Sequence, residues 1–302
     1  MKKDNSYDVL IIGGSYAGLS AAMALGRALK QVLVIDNGQP CNRQTPFSHN
    51  FLTRDGVPPG EIMQIARQQV AAYDTIRFLT GMVVNGKKTD TGFEIETGAG
   101  EKFYGKKLIF ATGIRDQLPA VEGLQECWGI SALHCPYCHG YEVRYEKTGL
   151  LGNGEHIFEH SKMIANWTKD LTLFTNGPSA LTADQTGILR QRGIRIVETP
   201  IVRIQHLEGH LSHLVFADDS RQELKALYVY ITFEQHCAIP QALGCELSKE
   251  GYIQTDILQA TTVEGVYACG DNCSRFRTVA NAVASGAAAG MAVSRQLIME
   301  DF

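Results

Sequence analysis

Val9-Leu10-Ile11-Ile12-Gly13-Gly14-Ser15-Tyr16-Ala17-Gly18 decides the fold of this chain. The apolar run from Tyr7 to Ile12 suits a strand buried on both faces. The glycines after it predict a tight turn, and a helical pattern follows from Leu19 to about Lys30. Gln31–Ile35 reads as a second strand that ends at Asp36. Strand, glycine turn, helix, strand and acid make up the dinucleotide-binding βαβ unit. Free N–H groups at the helix N-terminus face a pyrophosphate, and the acid takes the ribose hydroxyls. Ser15 replaces the middle glycine of G-x-G-x-x-G and is small enough for that place. Gly13, Gly14, Ser15, Ala17, Gly18 and Asp36 are therefore the first expected cofactor contacts. The competing reading is a turn whose glycines serve packing alone.

Working outward, Gln39–Pro59 is a long polar loop, and loops of that length in compact domains are usually functional. Asn42, Arg43, His49 and Asn50 are its candidate cofactor contacts. A helix is expected from Pro59 to Tyr73. Short strands are expected at 76–79, 82–84, 92–97 and 101–105. Lys107–Ala111 is a strand running into Thr112-Gly113, where small residues let a ligand approach the backbone. A second βαβ pattern follows, with a strand at 148–151, a turn at Gly152-Asn153-Gly154, a helix at 157–167 and a strand at 171–174. It reads as a weak internal repeat of the first. Ile157 stands at its third glycine position, and Thr175-Asn176-Gly177 offers neither an acid nor arginines for a ribose or its phosphate. Helix is expected at 183–192, and strands at 194–204, 211–217, 227–233 and 265–268. The last strand leads to Gly270-Asp271, placed for a ribityl or phosphate-linked group. A small-residue helix from Thr278 to Met299 closes the chain.

At 302 residues the chain predicts two domains, and 44% hydrophobic content allows a real core. The net charge of −4 comes without long blocks of one sign, which argues against nucleic acid and anionic membrane as partners. No apolar stretch has the length of a membrane span. Eight cysteines without a recognisable secretory signal suggest a reducing, cytoplasmic setting.

His134-Cys135-Pro136-Tyr137-Cys138-His139-Gly140-Tyr141-Glu142 carries the chemistry. Cys-x-x-Cys followed by His reads as a redox dithiol, half of a zinc site or a haem attachment string. Haem attachment needs export. A closed zinc site needs four tetrahedral ligands, and four within six consecutive residues would strain to surround one ion. No metal site is expected. In the redox reading the flanking imidazoles, His134 and His139, lower a thiol pKa or move its proton.

The glycine turn, Ala111-Thr112-Gly113, Cys135-Pro136-Tyr137-Cys138 and Gly265-Val266-Tyr267-Ala268-Cys269-Gly270-Asp271 occur in the order found in low-molecular-weight thioredoxin reductases. The chain resembles that family over nearly its whole length. The resemblance implies an α/β fold of two Rossmann-like, three-layer ββα domains, FAD and a homodimer. The FAD domain would comprise 1–116 and 240–302, and a pyridine-nucleotide-type domain 117–239 would carry the dithiol. Cys138 would then lie next to the flavin and Cys135 would meet the substrate. His139 would replace the family's acidic proton carrier, Asp36 would hold the adenosine ribose and Asp271 the flavin's linker. Thr278-Val279 replaces an Arg-Gln pair that contributes to the flavin site. The damaged second turn and the string Cys-Pro-Tyr-Cys-His-Gly-Tyr-Glu are closer to the branch containing dithiol oxidases, which need no nicotinamide. The expected function is a FAD-dependent thiol–disulfide oxidoreductase without a standard NAD(P)H site. Its partner would be a thioredoxin-like protein or a small dithiol or disulfide, and electrons would pass to O2 or come from a donor such as ferredoxin. The alternatives are a conventional NAD(P)H-dependent thioredoxin reductase and a flavin redox sensor without turnover.

Overall fold

A computed structural model describes residues 5–302. The polar start at 1–4 lies outside them. In chain order the elements begin with β1 (Ser6–Ile12), α1 (Tyr16–Arg27), β2 (Val32–Asp36), α2 (Pro59–Ala71), β3 (Ile76–Thr80), β4 (Val83–Thr89), β5 (Gly92–Thr97), β6 (Lys102–Phe110) and β7 (Ile114–Gln117). They continue with α3 (Leu124–Cys127), β8 (Ala132–Leu133), α4 (Pro136–His139), β9 (Thr148–Leu151), α5 (Glu155–Ile164), β10 (Leu171–Phe174), α6 (Ala183–Gln191), β11 (Arg195–Val197), β12 (Ile201–Leu207), β13 (His210–Phe216), β14 (Arg221–Glu223) and β15 (Ala226–Val229). The last are β16 (Thr232–Gln235), α7 (Ile239–Ala242), β17 (Val266–Ala268) and α8 (Val279–Asp301). No helix among the described residues is long and apolar enough to cross a membrane.

The chain divides into two compact units, Met1–Arg43 with Asn50–Arg115 and Glu234–Phe302, and Gln44–His49 with Asp116–Phe233. The first holds a seven-stranded sheet in the order β3-β2-β1-β6-β5-β4, with β17 also paired to β6. Strands β3, β2, β1, β6 and β17 are parallel, while β4 and β5 run antiparallel. Alternate side chains of a strand point to opposite faces. Val9 and Ile11 accordingly join the core beneath α1 and α8, while Leu10 and Ile12 join the core containing Phe93, Ile95 and Phe103. Burial of both faces explains why β1 reads as a continuous apolar run.

The small residues of α8 are used against α1. A Cβ on Gly286 would come within 2.1 Å of the Ala17 carbonyl oxygen, and one on Gly290 within 2.5 Å of that of Ala21. Two helical backbones meet there with no room for a methyl group.

The second unit repeats the theme. Its five-stranded parallel sheet has the order β11-β10-β9-β15-β8. Helices α5 and α6 contribute Ile157, Ile164 and Leu189 to one core. A second core includes Leu214 and Phe216 of the antiparallel sheet β12-β13-β14.

Several expected boundaries differ. The strand expected at 194–204 is broken into β11 and β12, with Pro200, which has no N–H to pair, between them. The strand expected at 227–233 ends at Val229 and restarts at Thr232. The strands expected at 101–105 and 107–111 are one strand, β6, which pairs with β1 along most of its length.

Replacing Gly286 by Ala is expected to lower stability by ~1–3 kcal/mol, the usual cost of overpacking. Denaturant unfolding of the variant beside the parent chain measures it.

Candidate active site

The first unit builds a cradle at the C-terminal ends of β1, β6 and β17. Gly13 has φ +102°, and a Cβ there would lie 2.2 Å from the Ala111 carbonyl oxygen. A Cβ on Gly18 would lie 1.9 Å from the Gly13 carbonyl oxygen, so α1 sits directly on the strand end. Ser15 occupies the N-cap of α1, but its side chain makes no capping hydrogen bond and the first turn holds no acid. Its Oγ instead points to the Met63 sulfur at 3.7 Å. The first-turn N–H groups therefore have no side-chain acceptor of their own, and this end of the helix dipole favours an anion. Ala17 is buried one turn away.

Asp36 ends β2 with its carboxylate turned to the glycine turn. Its oxygens accept from the Gly14 N–H at 3.0 Å and the Gly38 N–H at 3.2 Å. Asn42 Nδ2 donates to the Tyr16 hydroxyl at 3.5 Å, while Asn42 Oδ1 is buried with no partner. Burial pushes the Tyr16 phenol pKa up. At the other side of the cradle Asn272 Nδ2 donates to the Phe110 carbonyl at 2.8 Å and to Thr112 Oγ1 at 3.4 Å. Asn272 Oδ1 and Asn281 Nδ2 are buried without partners. Gly113 and Gly270 have φ +64° and +87°, conformations that favour glycine. The Gly270 N–H donates to Ser285 Oγ at 3.0 Å, and Asp271 Oδ2 lies 3.9 Å from the Cys41 sulfur.

The other expected contacts make these interactions within the chain. Arg43 is exposed and donates to the Pro40 carbonyl. Asn50 has φ +60°, and its N–H donates to Asp55 at 2.7 Å. Thr278 spends its hydroxyl on capping α8, accepting from the Asn281 N–H at 3.1 Å, and Val279 is the first residue of that helix. His49, expected at the cofactor, groups with the second unit instead, where its Nε2 lies 3.6 Å from Glu142 Oε1.

In the second unit β8 delivers the dithiol. Leu133 pairs with Tyr228 of β15, and His134, exposed, follows. Cys135 caps the single turn α4, and its carbonyl accepts from the Cys138 N–H at 3.2 Å. Proline at the next position suits such a start, because its missing N–H would have no partner there. Gly140 lets the turn close against Trp167, since a Cβ would come within 2.9 Å of the indole ring. Tyr137 stands edge-on to that ring at 5.5 Å.

His139 is the unusual side chain. Both ring nitrogens are buried without a well-formed hydrogen bond among the described residues, although the Cys135 carbonyl lies close enough to favour the protonated ring. Burial holds its pKa below the ordinary imidazole value. Glu142 and the Cys135 carbonyl pull the other way, while His49 adds to the depression. Tyr228 lies within electrostatic reach of Cys135, Glu142 and Cys138, and its hydroxyl too is buried without a partner. Burial, foremost, and those neighbours push the phenol well above its usual range.

In the second glycine turn Asn153 ties the turn to the loop after β10. Asn153 Oδ1 accepts from the Gly154 N–H at 2.9 Å and the Ala180 N–H at 2.8 Å, and its Nδ2 donates to the Pro178 carbonyl at 2.9 Å. Glu198 accepts from the Ser179 N–H at 3.1 Å. Ile157 is fully buried, with its side chain filling the space where a Cβ on Gly152 would stand.

Sequence reading missed Tyr228 and Asn281, which lie in apolar or small-residue runs with no motif to mark them, and Asn272, although it directly follows the Gly270-Asp271 motif. Glu142 stood within the quoted dithiol string without a role. His156 and His160 form a His-x-x-x-His pair on α5 that was legible and overlooked. Both rings pack on Tyr230, at 5.7 and 5.5 Å.

The family model described as pyridine nucleotide-disulphide oxidoreductase matches residues 7–286. The thioredoxin reductase tcpT of Claviceps purpurea is 33% identical over 99% of this chain and 97% of its own length. The solved structure of an oxidoreductase from Agrobacterium tumefaciens is 39% identical, with a TM-score of 0.91 over 97% of this chain and 99% of that one. The crystal structure of HlmI is 32% identical, with a TM-score of 0.93 over 100% of this chain and 95% of that one.

A buried imidazole with a depressed pKa gives a pH signature. The unfolded chain binds a proton near the ordinary value of ~6.5, and the folded chain resists it until lower pH. Stability is therefore lost as pH falls through that window. His139→Gln is expected to flatten this loss, which unfolding curves at neutral and mildly acidic pH measure.

Proposed function

The chain belongs to the pyridine nucleotide-disulphide oxidoreductase family, as a thioredoxin reductase-like enzyme with FAD as cofactor, and from that premise we propose that Cys135 and Cys138 exchange electrons with FAD without a standard NADPH site. The second turn, with Asn153 on its Gly154 N–H and neither acid nor base after the next strand, carries the proposal. A dinucleotide needs that turn's N–H groups for its pyrophosphate and a polar or basic partner after the next strand for its ribose. Here Asn153 has taken the Gly154 N–H, and neither the acid that would hold a ribose hydroxyl nor the arginine that would hold its phosphate stands between Thr175 and Ala183.

The first cradle fits FAD by contrast. Its first-turn N–H groups lack side-chain acceptors, and Asn42, Asn272 and Asn281 hold buried polar atoms without partners. Gly13, Gly14, Ser15, Ala17 and Gly18 would face the pyrophosphate and Asp36 the adenosine ribose. Thr112, Gly113, Gly270 and Asp271 would meet the flavin half. Bound FAD supplies a two-electron acceptor or donor that resets the dithiol.

The thiol steps belong to the chain's own residues. In the oxidising direction a substrate thiolate attacks the Cys135 sulfur of the Cys135–Cys138 disulfide. That bond breaks, a mixed disulfide forms, and Cys138 leaves as a thiolate. The second substrate thiol loses its proton to neutral His139 and attacks the first substrate sulfur. The substrate disulfide departs and Cys135 is left as a thiolate, so two electrons have passed to the enzyme dithiol. In the reducing direction the same steps reverse. Exposed Tyr137 and Tyr141 offer apolar faces to a substrate. The candidates are a thioredoxin-like protein, which the relatives' names support, and a small dithiol. O2 or a protein such as ferredoxin would be the electron partner, in a cytoplasmic homodimer.

The family's description and the relatives' names support a second reading, a conventional NAD(P)H-dependent thioredoxin reductase. Anaerobic titration of the flavoprotein separates the two. A dithiol is expected to bleach the flavin, with colour returning in air, while NADPH and NADH leave it unchanged. Fast, stoichiometric bleaching by either nucleotide sinks the proposal. A flavin that no dithiol bleaches would point to a protein without turnover.

Cys138→Ser is expected to accumulate a mixed disulfide on Cys135 with a disulfide substrate, seen as one added substrate mass on the intact protein. Absence of that adduct would remove Cys135 as the sulfur that meets substrate.

A further inference from the structure

Behind the dithiol lies a buried hydroxyl with nothing to bond. Tyr228 sits in the middle of β15, beside Leu133 of β8, two residues before Cys135. Its neighbours Leu227 and Val229 point to the core shared with β12 and β13, so Tyr228 points to the opposite face, with Leu133, Leu150 and Ile157. The residue is 2% exposed, and its hydroxyl has no hydrogen-bond partner among the described residues. Leucine or phenylalanine would fill an all-apolar strand position without stranding a polar atom. The groups whose charge reaches the phenol are Cys135, Glu142 and Cys138.

We propose that the Tyr228 hydroxyl is a positioning donor for the dithiol, hydrogen-bonded to the Cys135 sulfur when that sulfur becomes a thiolate. This rests on the reading of Cys135 and Cys138 as the redox centre. When the second substrate thiolate breaks the mixed disulfide, the electron pair of that bond goes to the Cys135 sulfur. The phenol then donates a hydrogen bond, and no proton leaves the oxygen. It stays protonated throughout the working range because burial opposes its ionisation. Tyr228 therefore cannot act as the base. That task stays with His139, and the two residues divide the work: one takes protons, the other holds charge on sulfur.

The test is Tyr228→Phe in the holoenzyme, which keeps the ring and removes only the oxygen. After reduction, iodoacetamide alkylation at Cys135 is followed by peptide mass spectrometry as a function of pH. The thiolate titration is expected to move upward, giving alkylation about three- to tenfold slower below its midpoint. The pH profile of kcat/KM for dithiol oxidation should move the same way, while Tm stays level or rises because an orphan hydroxyl has gone. An unchanged alkylation profile, with Cys135 still required for turnover, overturns the role of Tyr228 alone. Turnover that survives Cys135→Ser overturns the reading of the dithiol, and this inference with it.

Discussion

Helix α1 is held between two backbones. On one side Gly18 meets the carbonyl of Gly13, and on the other Gly286 and Gly290 of α8 meet the carbonyls of Ala17 and Ala21. None of these contacts leaves room for a Cβ. The approach brings the N-terminus of α1 to the ends of β1 and β6, where Asp36, Thr112 and Asn272 converge around the glycine turn. A bulky residue at any of these glycines would push the helix out and take the anion-binding N–H groups with it. The cradle is thus a consequence of backbone packing before it is a matter of side-chain chemistry.

The second unit keeps the topology and relaxes the constraint. Ile157 replaces the third small residue, and its side chain packs into the core. An apolar core gains from that exchange, since each buried methylene contributes about 0.8 kcal/mol. What is given up is the open turn. Asn153, Ser179 and Glu198 satisfy the polar groups of the loop among themselves. Neither helix has a side-chain cap at its N-terminus, so the two turns differ in the residue at the third small position and in the groups that follow the second strand.

The sequence made the architecture legible because both faces of each parallel sheet are buried, which leaves apolar runs, and because glycine turns mark where strands become helices. The dithiol and the first turn were legible as motifs, residue by residue. What escaped was set by the third dimension. Tyr228 looks like an ordinary core residue of β15, and only the pairing of β15 with β8 places it behind Cys135. His49 was read with the loop of the first unit, yet it meets Glu142, far along the chain. Asn272, next to the Gly270-Asp271 motif, and Asn281 escaped because an unpartnered amide atom is a property of its surroundings. Thr278, expected at the cofactor, also caps α8, a role that its place before the helix made legible.

The surroundings of the dithiol trade stability for a choice of protonation states. Each buried polar group without a partner costs about 1–3 kcal/mol, and His139 and Tyr228 are both of this kind. Leu133, Leu150 and Ile157 pack beside Tyr228 and offset the cost. Thiol exchange needs a group ready to take a proton and a setting that tolerates negative sulfur. Burial turns the same low dielectric into opposite outcomes for the two side chains. An imidazole loses its charged form and becomes an acceptor, while a phenol keeps its proton and remains a donor. Glu142 limits the first effect by favouring imidazolium. In the proposed chemistry the direction of each proton's first move is therefore reinforced by where the rings are buried. The residue types already favour that direction near neutral pH, with ordinary values of ~6.5 for a histidine and ~10 for a tyrosine, and burial widens the separation.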